Sequence, residues 1–213
     1  MIVLDLEQGS EAWALARCGK ATASRMGDLM ARTKSGWGAS RANYAAELVA
    51  ERLTGRPAER YSNAAMAWGT EKEPEARALY EFLHNCEVRT VGLVTHPKIE
   101  HSLASPDGLV GDDGLVEIKA PNTSTHIATL LGSGIDGRYL LQMAWQMACT
   151  GRQWVDFVSY DPRLPPEMQI HVTRMHRDDD AIVAVEREVA IFLQEVEETV
   201  DKLRRRYQLS EAA

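Results

Sequence analysis

Asp107, Glu117 and Lys119 are the residues whose types and spacing point most directly to chemistry. Asp107 stands in the turn-forming run Ser105-Pro106-Asp107-Gly108, and Glu117 and Lys119 bracket Ile118. Between them, Gly111-Asp112-Asp113-Gly114 is a tight hairpin signal. Strand, hairpin and strand would set Asp107 beside Glu117, and because strand side chains alternate with period two, Lys119 would share the face of Glu117. Two carboxylates and one ammonium then converge. Such hard oxygen donors suit Mg²⁺ or Mn²⁺, which keep several waters and complete their shells with phosphate oxygens. An ion of this kind lowers the pKa of a bound water and shields the charge of a phosphodiester transition state. Lys119 would orient or help deprotonate that water and stabilise the transition state. The competing reading makes Glu117 and Lys119 a solvated pair on an edge strand. Apolar, β-branched Ile118 and the nearby Pro121 favour instead a buried strand that stops at the rim of a site.

A sheet flanked by helices is needed to hold that arrangement, and the sequence periodicities contain both. Helical segments are expected at residues 11–17, 24–31 with Ser24 as cap, and 43–54, which ends before Gly55 and Pro57. Residues 33–41, rich in Gly, Ser and basic groups around Trp37, read as a mobile loop. A longer helix is expected over residues 65–83, with Met66, Leu79 and Phe82 apolar and Glu73, Glu75 and Arg77 decorating the rest. The period then changes to that of strands at residues 87–96, 103–110 and 115–119. Helices follow at 123–131 and 138–150, strands at 154–161 and 167–172, and one long amphipathic helix at 178–208. The order implies a single α/β (α+β-like) domain over residues 1–213, with a central mixed β-sheet flanked by helices.

Composition narrows the class. No stretch approaches the roughly 20 apolar residues of a membrane span, and the N-terminus lacks the pattern of a secretory signal, so a cytoplasmic location is expected. Cys18, Cys86 and Cys149 have neither a disulfide framework nor CxxC spacing and read as small core residues. The six His show no ligand spacing, and His126 reads as a packing residue at a helix start. A net charge of −7 weighs against nucleic acid as a partner. It does not remove it, because a basic groove coexists readily with acidic outer faces.

The order of motifs is similar to the phage lambda exonuclease and YqaJ-type viral recombinase group of PD-(D/E)XK nucleases. The matching blocks are Trp13, Arg17 and Gly19 with Thr22-Ala23-Ser24, then Trp68-Gly69, Glu73 and Ala76-Arg77, then Ser105 to Gly108. Glu117-Ile118-Lys119 with Pro121, Thr123 and Ser124, then Gln142 with Gln146, and Tyr160-Asp161-Pro162-Arg163 complete them. The resemblance implies a PD-(D/E)XK restriction-endonuclease-like core and a 5′→3′ exonuclease on double-stranded DNA ends, assembled as a homotrimeric ring and working beside a single-strand annealing protein. It implies Mg²⁺, replaceable by Mn²⁺, with two ions per site. Asp107, Glu117 and the Ile118 carbonyl would be metal ligands, Glu73 would support the second ion, and Gln142 would border the site. Arg17 and Ser24 would receive the 5′-terminal phosphate, with free N–H groups of the helix after Ser24 adding donors. Met66 falls where the family places an apolar wedge at the splitting base pair.

Other readings stay open at this level. Glu73 also fits a solvated helix face, Met66 core filler, and Arg17 a surface salt bridge with Glu7 or Glu11. Residues 33–41 depart from the family in length and content, keeping Lys34 before Ser35-Gly36 as the basic residue for DNA contact. An endonuclease with the same core, or a DNA-end-binding protein without catalysis, are the alternative functions.

Overall fold

The computed structural model describes residues 2–58 and 63–208. In chain order the elements are β1 (Val3–Leu4), α1 (Glu11–Arg17), β2 (Ala21–Thr22), α2 (Met26–Leu29), β3 (Arg32–Thr33), β4 (Gly36–Trp37), α3 (Ala39–Thr54), α4 (Ala64–His84), β5 (Val88–Arg89), β6 (Leu93–Thr95), β7 (Ser102–Ala104), β8 (Gly108–Val110), β9 (Gly114–Lys119), α5 (Thr123–Leu130), α6 (Gly137–Thr150), β10 (Trp154–Tyr160), β11 (Ile170–His176) and α7 (Asp179–Tyr207).

The main sheet runs β11-β10-β9-β8-β5, with β9 and β10 parallel and the other neighbours antiparallel. Its strands alternate between two cores, as a pleat with helices on both faces must. Leu115, Val155 and Phe157 face a large core shared with α3, α6 and α7, whereas Val116, Ile118, Val158 and Tyr160 face Ala76 and Tyr80 of α4. The seven buried residues of α7, from Ile182 to Val200, recur at helical spacing and close the large core. Asp178 accepts from the Ala181 amide at 3.0 Å and caps this helix, while Arg204, Arg205 and Arg206 lie in its last turn, complementing the dipole. A small sheet, β1-β6-β7-β2, packs Leu93 and Leu103 against Trp13 of α1.

Several expectations need correction. The strands expected at 87–96 and 103–110 each split, because Thr90 to Gly92 and Ser105 to Asp107 carry the chain between the two sheets. The strand expected at 167–172 begins at Ile170 and runs to His176, since Pro166 to Met168 form a 3₁₀ turn that buries nothing in the sheet. Residues 33–41 are not a loop: Arg32–Thr33 and Gly36–Trp37 pair as a hairpin, and α3 begins at Ala39. The Trp37 ring holds it in place, with the guanidinium of Arg32 at 3.8 Å and that of Arg41 at 4.0 Å. Ser24 is no helix cap, because it lies inside a 3₁₀ turn over Ala23–Arg25 that precedes the short α2. His126 is buried and bonded to Ser159 Oγ at 2.7 Å and the Met168 carbonyl at 2.8 Å, as a packing residue should be. Cys149 is buried, and Cys18 and Cys86 are half-buried free thiols. Among the described residues no helix is long and apolar enough to cross a membrane.

Candidate active site

Register places Asp107 at the point where β8 stops supporting β9. The β8–β9 ladder ends at the Gly108–Val116 pair, so the next β9 amide on that edge, from Ile118, has no strand partner and donates to Asp107 Oδ2 at 2.7 Å. The Ile118 carbonyl leaves the strand on the same edge as its N–H and therefore also faces Asp107. Gly108 makes the turn possible, since a Cβ there would come within 2.1 Å of Val88 Cγ1.

Pleating sends Glu117 and Lys119 to the α6 face. Glu117 is completely buried, which an ionised carboxylate tolerates only with donors on both oxygens. Gln142 Nε2 donates to its Oε1 at 2.6 Å, Gln146 Nε2 to its Oε2 at 2.5 Å, and Lys119 Nζ also meets Oε1. The two glutamines are one helical turn apart on α6, which explains polar residues within an otherwise apolar helix face. Gln146 Oε1 is buried with no hydrogen-bond partner among the described residues. Burial and then Glu117 push the Asp107 carboxyl well above its usual range, Lys119 pulls it back, and Glu73 adds to the rise. Burial opposes the charge on Lys119, yet Glu117 and Asp107 outweigh it and hold the ammonium protonated.

Asp107 opens onto a cleft of about 680 Å³ that also takes in Glu73, Arg77, Thr70, Gln8 and Trp13. Glu73 is paired with Arg77 on the next turn of α4. Beside the cleft lies a pocket of about 500 Å³ lined by Arg17, Ser24 and Met66 among others. There the Arg17 guanidinium lies 4.0 Å over the Trp13 ring, and its Nη2 is 3.4 Å from both Thr22 Oγ1 and Ser24 Oγ. Met66 is 55% exposed, so it is not core filler. Hydrogen bonds thus join Glu117, Lys119 and Gln142, and Asp107 is near enough for its charge to interact with those of Glu117, Lys119 and Glu73. Asp107 and Glu73 line the cleft, Lys119 lines a different pocket of about 410 Å³ with Pro121, Ser124 and Tyr139, and Arg17, Ser24 and Met66 line the pocket beside the cleft. Lys34 joins none of these: it sits at the exposed tip of the β3–β4 hairpin.

The donor set fits a divalent cation. Two neighbouring carboxylates repel, Asp107 is lifted by that repulsion, and a backbone carbonyl faces the same point. Among the described residues no group of three or more His, Cys, Asp or Glu is placed to hold a metal ion. Mg²⁺ needs none, because it is held by one or two carboxylates and keeps its waters.

One contributor escaped sequence reasoning. Gln8 donates to the Pro106 carbonyl at 3.2 Å and to that of Val91 at 3.4 Å, tying the N-terminal segment to the turn that carries Asp107. It belongs to no periodic pattern that would flag it. Two motif residues meet at the same turn, where Ser105 accepts from Trp13 Nε1 at 3.3 Å.

Sheet, cleft and pocket together define an α/β protein that presents clustered carboxylates and a lysine beside a pocket lined by Arg17, Lys20 and Arg25. The chain belongs to the family of YqaJ-like viral recombinase domains, whose profile matches residues 12–153. It is similar to an alkaline exonuclease from Laribacter hongkongensis, at 53% identity over 93% of this chain and 98% of that one, with a TM-score of 0.87. The same enzyme in complex with dAMP matches equally, at 53% identity, 93% and 98% coverage and a TM-score of 0.87. A phage-related exonuclease from Haemophilus somnus shares the fold alone, at 14% identity over 86% of this chain and 96% of that one, with a TM-score of 0.65. No curated protein matches the chain.

Proposed function

We propose that this protein is a Mg²⁺-dependent exonuclease of the PD-(D/E)XK kind that degrades one strand of linear double-stranded DNA from 5′-phosphorylated ends. The observation that carries the reading is one face of α4. Met66 lines the arginine pocket, while Thr70, Glu73 and Arg77 line the carboxylate cleft, so a single helix stripe joins the two. From Met66 to Glu73 the helix rises about 10 Å, roughly three times the spacing of nucleotides along one strand of a duplex. An end seated by Arg17 therefore reaches the carboxylates within a few nucleotides. The family and the alkaline exonuclease at 53% identity support nuclease chemistry.

Asp107, Glu117 and the Ile118 carbonyl are the groups that would hold the ion, with Glu73 on the opposite wall for a second. Bound there, Mg²⁺ (or Mn²⁺) supplies an activated water and neutralises phosphate charge. Gln142 and Gln146 fix the Glu117 carboxylate so that it need not reorganise during reaction. Lys119 stabilises charge on the phosphate and orients the attacking water. Arg17 grips the terminal phosphate with its planar fork, Ser24 adds a hydroxyl, and exposed Met66 separates the terminal base pair. A homotrimeric ring around the duplex and a single-strand annealing protein that receives the 3′ tail complete the reading.

Incubation with Mg²⁺ and strand-labelled linear or circular duplex tests it. Digestion of linear DNA alone, with loss of 5′ label first and none in chelator, is expected. Cleavage of the circle would indicate an endonuclease, and binding without cleavage an end-binding protein.

A further inference from the structure

The pocket that holds Arg17 also contains a cation that forms no ion pair with a carboxylate among the described residues. Among the described residues lining it are three cations, Arg17, Lys20 and Arg25, and two carboxylates, Glu47 and Glu51. Arg25 is committed locally: it lies 2.8 and 2.9 Å from the two oxygens of Glu47, 2.7 Å from Asp28, and 4.2 Å over the Tyr44 ring. Glu51 accepts the amides of Gly19 and Ala58 at 2.6 and 2.8 Å. Lys20 differs. Its Nζ donates to the Ala16 carbonyl at 2.6 Å, and no carboxylate among the described residues forms an ion pair with it. An ammonium has three donors, so two remain after that bond. The described lining residues carry three cations against two carboxylates, one net positive charge, and Lys20 is the cation among them that donates to a neutral carbonyl.

The turn presenting Lys20 is held rigidly. Gly19 has φ +69°, and a Cβ there would lie 2.7 Å from Arg52 Cγ. Its N–H goes to Glu51, its carbonyl accepts from Arg52 Nε at 2.9 Å, and the Lys20 carbonyl accepts from the Tyr44 hydroxyl at 3.4 Å. A fixed backbone limits what the flexible lysine stem must lose on binding an anion.

We propose that Lys20 is a second phosphate-binding cation of this pocket, sharing the dianionic terminal phosphate of a DNA 5′ end with Arg17. The inference rests on the reading of the pocket as the 5′-end site. Two cations match the dianion, so a phosphorylated end is told from a hydroxyl end by charge as well as by the Arg17 fork.

The test is the ratio of initial rates on duplexes that differ only in a 5′-phosphate or 5′-hydroxyl, for wild type, Arg17→Ala, Lys20→Gln and Lys20→Arg. The thermal shift produced by inorganic phosphate is measured alongside. Lys20→Gln keeps a donor near the Ala16 carbonyl and removes the charge, so a helix-end role alone would leave the ratio unmoved. The ratio should fall about tenfold in Lys20→Gln, the scale of a charge-assisted hydrogen bond, and return largely in Lys20→Arg. Phosphate should raise the melting temperature of Lys20→Gln less than that of wild type. An unchanged ratio in Lys20→Gln, with the ratio abolished in Arg17→Ala, overturns the role of Lys20 and leaves the 5′-end reading standing. Equal rates on both substrates for wild type overturn the 5′-end reading and the role of Lys20 with it.

Discussion

Lys119 keeps its charge in surroundings that ordinarily disfavour one. Burial works against the ammonium, but Glu117 and Asp107 outweigh that effect and raise its pKa. Lys119→Ala should fold, still bind DNA ends, and lose about 10²-fold or more in single-turnover cleavage, the usual loss for a preorganised charge stabiliser. Near-normal turnover would exclude the role. Asp107 has the complementary problem, since burial and the Glu117 charge lift its pKa and a cation relieves both. Asp107→Asn should therefore fold and bind Mn²⁺ more weakly, which calorimetry with the metal alone reads without any turnover; an unchanged affinity contradicts the ligand assignment. These three charged residues were legible in the sequence because a hairpin and the strand period suffice to bring them together. Their supports were less so. The helical spacing of Gln142 and Gln146 hinted at a polar face, whereas Gln8 and Lys20 reach the site through the path of the whole chain, which leaves no local signature.

At the scale of elements, α4 divides its work between two faces. Met66, Thr70, Glu73 and Arg77 line the pocket and cleft, while Ala76 and Tyr80 pack against the sheet. Tyr80 fastens the helix to β10: its hydroxyl donates to Asp156 Oδ2 at 2.7 Å, and Arg174 of β11 grips the same carboxylate with two bonds of 2.8 Å. Burial pushes the Asp156 pKa up, but Arg174 and Tyr80 together prevail and hold it below the usual carboxylate value. The sign follows directly. A carboxylate with a depressed folded pKa contributes stability that is present above its unfolded pKa, about 3.9, and is lost as pH falls through the folded value. Urea midpoints for wild type should thus drop steeply below about pH 4, and Asp156→Asn should be less stable at pH 7 with a shallower acid limb. The loss at pH 7 should be about 2 kcal/mol, because the tyrosine hydroxyl loses a charged partner while Arg174, whose side chain is 43% exposed, turns to water. Parallel acid limbs for the two proteins would show that the network does not carry this charge. Elements with long, regular periods, such as α4, α6 and α7, were readable in advance. The split strands and the β3–β4 hairpin were not, because strands of two or three residues are fixed by pairing across the fold, and the hairpin by the Trp37 stack, rather than by their own alternation.

Whole-molecule charge sets a condition on how DNA is held. One chain carries −7, and the proposed trimer three times that, so a ring must concentrate its cations on the DNA path and leave carboxylates outside. Much of the basic surface is already occupied: Arg25, Arg52, Arg163, Arg174 and Arg177 are all paired with carboxylates. Phosphate contacts must then come from a small set of cations facing a net repulsive body, and contacts of that kind are lost quickly as counterions compete. Two neutralised phosphates per bound end suffice to raise KM for linear duplex about tenfold between roughly 50 and 200 mM salt. Steeper loss is expected if all three subunits contact the duplex, while single-turnover cleavage of saturated complexes should respond much less, since Glu117 is fully buried and the Lys119 side chain paired with it is only 26% exposed. Rate measurements across that salt range, paired with light scattering at the same concentrations, separate the two contributions. A monomer in solution would remove the ring as the source of processivity. A KM indifferent to salt would mean that the DNA path is not lined by cations, and that end recognition rests on shape and the carboxylate-bound ion instead.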